Sequence, residues 1–140
     1  MPDPDFAFTP PPEALLSTPK HRIVARVPAP DDAASAVDAL AAAGVDKSQI
    51  FVLCGEDGLL RLDPTGQHHG LQGRLVRASQ TVFAFGDMIS DDAEFVARGG
   101  LIVTAPARDA DERRLVAETL RDHGGTDMRY FGATTFEEIG

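Results

Sequence analysis

Tryptophan is absent from this chain of 140 residues, and tyrosine and cysteine occur once each. A lone Cys54 excludes an intrachain disulfide and a cysteine-based zinc site. Nothing beside it in the sequence is an evident base or thiolate stabiliser, so it reads as a small core hydrophobe rather than a nucleophile. Basic residues are also scarce, 13 Lys and Arg against 22 Asp and Glu, a net charge of −9. Binding to phosphate backbones is driven by Lys and Arg releasing counterions, so an acidic chain argues against nucleic acid as a partner. No apolar run approaches the roughly 20 residues that span a bilayer, and the first residues lack the basic region and apolar stretch of a signal peptide. The expectation is a cytoplasmic protein without a membrane partner.

Several chemical motifs are missing as well. There is no G-K-[ST] phosphate loop, no dinucleotide fingerprint and no H-x-x-x-H pair. Thr65, Ser79 and Ser90 lie in no G-x-S-x-G turn. The acidic pairs Asp91-Asp92 and Glu137-Glu138 read as helix-start charges and solvated faces, because useful pKa shifts need burial and a cleft. These gaps predict no catalytic residues, no metal and no cofactor, and they point away from an enzyme without deciding the question.

What is present begins with an arm. Residues 1–20 hold six of the ten prolines. Proline removes backbone donors and pushes its predecessor toward extended conformations, which predicts an irregular, flexible Pro-rich arm. The arm contributes −2 of the net −9, so the remainder is acidic in its own right.

From residue 21 onward a single domain over 21–140 is expected. Ile23, Ala25 and Val27 alternate with Arg22, Val24 and Arg26, the period of a half-buried strand that Pro28 stops. Asp31 or Asp32 is placed to cap a helix over about 31–43, with Ala33, Val37, Leu40 and Ala41 on its inner face. Gly44 ends it, and residues 50–54 form a short apolar strand. The second half repeats this plan. A strand starting at Leu101 is stopped by Pro106, and Asp109 with Glu112 makes a capping-box pair. Leu115, Val116, Thr119 and Leu120 are the expected inner face, Gly124 ends the helix, and residues 128–131 close the unit. The order βαβ, insertion, βαβ predicts an α+β, ferredoxin-like fold with a helical insertion at about 57–98. Within that insertion, 59–62 is read as a short strand or hairpin edge, 70–79 as a helix with Leu71, Leu75 and Val76 inward, and 90–98 as a second helix. Residues 133–140 are read as one further turn. A sheet with helices on one face leaves the other to be polar, covered or paired, and a two-fold homodimer is the simplest expectation, alongside a protein partner.

Candidate site residues cluster in Asp63-Pro64-Thr65-Gly66-Gln67-His68-His69-Gly70 and the following Arg74 and Arg77. The glycines allow backbone amides near an anion, and a helix starting there would present its positive end. Arg61, Arg74 and Arg77 against Asp63 give this stretch a local charge of +2 in an acidic chain. The ligand-binding set is therefore Asp63, Thr65, Gly66, His69, Gly70, Arg74 and Arg77, with Arg74 and Arg77 neighbours on one helix face. The competing structural reading pairs these arginines with Asp87, Asp91, Asp92 and Glu94. Adjacent His68 and His69 point apart in either regular structure, which argues against a shared metal.

The two proline-stopped βαβ halves, the D-x-T-G-x-x-H-G stretch (Asp63, Thr65, Gly66, His69, Gly70), the R-L-x-R that follows (Arg74, Leu75, Arg77) and the closing Arg129–Gly132 resemble the bacterial heat-induced or general stress protein domain. The resemblance spans about residues 21–139. It implies a small ferredoxin-like domain and a stress-related regulatory or protein-interaction module without an established reaction. The residues themselves leave an alternative open, a binder of small phosphate- or nucleotide-like anions, or a small enzyme, that uses residues 63–77.

Overall fold

The computed structural model describes residues 21–55, 74–77, 94–132 and 136–139, with 74–77 and 136–139 given by their backbone. The expected arm at 1–20 and the expected strand at 59–62 lie outside these residues.

The first half runs β1 (Arg22–Val27), α1 (Pro30–Ala42), a 3₁₀ turn (Lys47–Gln49) and β2 (Phe51–Cys54). Next comes β3 (Arg74–Arg77), then β4 (Leu101–Pro106), α2 (Ala110–Asp122), β5 (Thr126–Phe131) and β6 (Phe136–Ile139). These strands form one sheet in the order β3-β2-β4-β1-β5-β6. All neighbours are antiparallel except β2 and β3, which are parallel. The expected α+β character is therefore present. Among the described residues no helix is long and apolar enough to cross a membrane.

α1 starts without a side-chain cap. Its N-cap is Ala29, and Asp31 and Asp32 stand inside the first turn. Pro30 takes the first helical position, where its missing N–H would be unpaired anyway, so the acids interact with the dipole instead of capping. Gly44 at φ 99° turns the chain out of the helix, a conformation that costs a residue with a Cβ about 1–2 kcal/mol. α2 is capped as expected: Asp109 accepts from the Glu112 amide at 2.8 Å. The return bond differs, because the Glu112 carboxylate takes the amide of Arg108 at 2.9 Å and grips its guanidinium as well. The buried residues of α2 are Val116, Ala117 and Leu120, whereas Leu115 is exposed. Thr119 turns its hydroxyl onto the Leu115 carbonyl at 2.7 Å. The inner face is thus rotated by about one residue from the expected one.

Helices α1 and α2 cover one face of the sheet. There Ile23, Ala25, Val27, Val52, Leu101, Val103 and Met128 pack with Val37, Leu40, Val116 and Leu120, and Cys54 lies in the same core, fully buried. The opposite face is buried too. Val24, Phe51, Leu53, Ile102 and Thr104 are each no more than 3 % exposed, and none belongs to the helix-side core. At these positions the second face is thus as buried as the helix side.

One expected helix and one expected turn contain strands. Residues 74–77 form β3, and 136–139 form β6 rather than a further turn. A pair such as Leu75-Val76 fits a helical stripe as well as a strand enclosed on both faces, and over so few residues periodicity does not separate the two. The helical reading near 90–98 fares better: residues 94–97 are helical, and Gly99 at φ 92° follows them.

Candidate functional site

Asp63, Thr65, Gly66, His69 and Gly70 lie outside the described residues. Arg74 and Arg77 are described by their backbone, and their placement corrects the expectation. On a helix, positions three apart share a face; on β3 they fall on opposite faces. Arg74 is in register with Phe51 and Arg77 with Cys54. Position 77 therefore falls on the helix-side face of the sheet, and position 74 on the second face.

That second face can be read across the sheet. Partners in register share a face, so Arg74, Phe51, Thr104, Val24, Arg129 and Glu138 form a single row. Arg22 and Arg26 stand on either side of Val24 on the same face of β1. A face that alternation alone would assign to solvent is instead buried and carries arginines.

Two of these arginines have very different surroundings. Arg26 is paired with Asp127 at 3.3 Å and lies over the Phe95 ring, 5.5 Å from its centroid. The pairing follows from an irregularity in the ladder: the β1–β5 register slips between Val24 and Arg26. Asp127 takes a left-handed φ of 48° at this irregularity. Such a bulge re-aims a side chain, and here a carboxylate faces Arg26.

Among the described residues Arg22 has no such partner. It is 5 % exposed. Its Nε donates to Thr104 Oγ1 at 3.0 Å and its Nη2 donates to the Gln49 carbonyl. The guanidinium lies over the Phe51 ring, 5.0 Å from the centroid. Among the described residues no carboxylate forms an ion pair with it. Burial pushes its pKa down to about 10, so it is still charged at neutral pH. A buried ion without a counter-charge is expensive, on the order of several kcal/mol even after relaxation. The stacked ring and two neutral acceptors offset part of this. Of five guanidinium N–H donors, two are used, and the Nη1 end is uncommitted among the described residues.

No protein-family model matches this chain, and no curated protein or solved structure matches it. The site must be judged on its own chemistry.

Among the described residues no group of three or more His, Cys, Asp and Glu is placed to hold a metal. His21 is exposed and adopts φ 56°, and His123 is half-buried at the end of α2. Arg22 escaped sequence reasoning because it stood on the polar phase of an alternating strand. A signal was nevertheless there: Phe51 and Leu53 in β2 and Ile102 in β4 occupy the same phase as Arg22, and all are large and apolar. The strand next to β1 in the sheet, β4, and β2 beyond it thus have two apolar faces, so the face that carries Arg22 continues an apolar surface.

Proposed function

We propose that this chain is a ferredoxin-like, non-enzymatic module that holds a small anionic ligand at the second face of its sheet, around Arg22. The observation that carries this reading is a buried guanidinium with hydrogen-bond partners but, among the described residues, no carboxylate. Sites built for anions keep a cation in reserve, whereas structural arginines in protein interiors are normally paired. Position 74, already a candidate from sequence, lies on the same face, one strand beyond Phe51. The order β2-β4-β1-β5 with two antiparallel-packed βαβ halves supports the ferredoxin-like layout. A stress-related regulatory role, implied by the resemblance of the halves and of the 63–77 stretch, is compatible with a module that senses such a ligand.

The test is a thermal-shift and calorimetric screen of the parent and an Arg22→Gln variant against phosphate-bearing and carboxylate-bearing compounds. Stabilisation by an anion in the parent and its disappearance in the variant are expected. Equal responses from both proteins would remove Arg22 from the site.

A further inference from the structure

We propose that copies of this chain join head to tail, the β3 edge of one pairing with the β6 edge of the next. β3 and β6 are the two ends of the sheet, and among the described residues each pairs with a strand on one side only. The outer side of an edge strand carries backbone donors and acceptors that a further strand can take up. From β6 through β5, β1 and β4 to β2 every step is antiparallel, and the last step, β2 to β3, is parallel. β3 and β6 therefore run in the same direction. A second copy set beside the first in the same orientation continues the sheet, with its β6 parallel to β3 and its helices in the same layer.

Charge selects this pairing. β3 reads Arg-Leu-Val-Arg and β6 reads Phe-Glu-Glu-Ile. Register puts Arg74 and Val76 on the second face, and Leu75 and Arg77 on the helix side. It puts Phe136 and Glu138 on the second face, and Glu137 and Ile139 on the helix side. Each edge thus offers one charged and one apolar position to each face, basic on β3 and acidic on β6. With 74–77 laid beside 136–139 in parallel, position 74 is diagonal to 138 on one face, and 77 to 137 on the other. The apolar positions are diagonal as well, 76 to 136 and 75 to 139. Diagonal neighbours on one face lie about 7–8 Å apart, a spacing that long side chains span. Two β3 edges would set Arg near Arg, and two β6 edges Glu near Glu, both destabilising. Like edges repel and unlike edges match. The net charge of −9 opposes any association. Diffuse charge is largely screened beyond about 8 Å at physiological ionic strength, so the edge charges dominate at contact. The contact uses different surfaces on the two copies, and so does not close at a pair. Strands of four residues make a small interface, and assembly is therefore weak and grows with concentration.

Analytical ultracentrifugation of the full chain at physiological ionic strength is the first test. The average mass should rise past that of a dimer as concentration increases, without a plateau. A plateau at the dimer, or a monomer up to about 1 mM, the weak end of measurable affinity, would overturn the proposal. Hydrogen exchange over the same range locates the contact. Amides of 74–77 and 136–139 should gain protection together, and protection confined to other residues would overturn the proposal without recourse to any variant. Charge reversal then tests the selection. Arg74→Glu with Arg77→Glu, and Glu137→Arg with Glu138→Arg, should each give a monomer with the parent's circular dichroism. The second of these is closer to neutral than the parent, so net charge alone predicts the opposite for it. An equimolar mixture of the two should regain the parent's growth, because every β3 then meets a β6 of opposite sign. Variants that associate as the parent does would overturn the charge-selected pairing.

Discussion

The two faces of the sheet are equally dry and differently made. On the helix side the buried residues are aliphatic, with Cys54, Met128 and half-buried Tyr130 the departures. On the other side the same depth of burial includes a guanidinium and a threonine hydroxyl. Apolar contacts explain the first face completely, because any close-packed set of the right volume stabilises it. They do not explain the second, where Arg22 makes the free chain less stable than a well-packed apolar residue would. Burial shows where the core is; the groups that packing does not need show where the chemistry is.

That contrast can be broken by substitution. Leu120→Ala on the helix side should have the largest effect, about 2–5 kcal/mol, because Leu120 is fully buried between helix and sheet. The denaturant midpoint measures it, and a shift worth under about 1 kcal/mol would mean that the helix layer is not the main core. Thr104→Val on the second face should follow, at about 1–3 kcal/mol, since it takes the acceptor from Arg22 Nε while leaving the volume unchanged.

Arg22→Met should move stability least, by no more than about 1 kcal/mol, because losing two hydrogen bonds is offset by removing a buried charge. A drop comparable with Leu120→Ala would make Arg22 a structural brace. The same residue gives a pH signature. Its folded pKa is lowered by burial to about 10, below the ordinary arginine value. Above about pH 10 the unfolded chain therefore holds more protons than the folded one, and this group's contribution to stability rises with pH. Below that pH both states are charged and the penalty of burial is constant. The difference between parent and Arg22→Met melting curves should be flat from pH 6 to 9 and shift toward the parent above about 10.

Much of the layout was legible in the sequence for simple reasons. Proline at 28 and 106, glycine at 44 and 124, and aspartate at 109 mark boundaries whose causes are local. Gly124 has φ 84°, and a Cβ there would lie 2.8 Å from the Asp32 carboxylate. Other features were hidden because their causes are not local. The strand at 74–77 depends on an available edge of β2, which nothing in Arg-Leu-Val-Arg announces. The rotation of α2 that exposes Leu115 depends on where α1 already lies. The candidate site was half visible: the sequence pointed to Arg74 and Arg77 as a pair, whereas the fold divides them between faces and puts Arg22, fifty-two positions before Arg74, on the face of the first.

The strand order carries a consequence for how the chain assembles. β4 lies between β1 and β2, and β1 lies between β4 and β5. Neither half contains two strands that are neighbours across the crossover, so each lends the other the partner for its own closure. Folding must then bring distant segments together before either half is rewarded, which places the protein among slower, topology-limited folders. It also makes the molecule divisible. A chain severed between residues 78 and 93 should give two fragments that are unstructured apart and recover the native circular dichroism when mixed, as complementary pieces of one sheet. A fragment that folds cooperatively alone would show that the halves are independent after all.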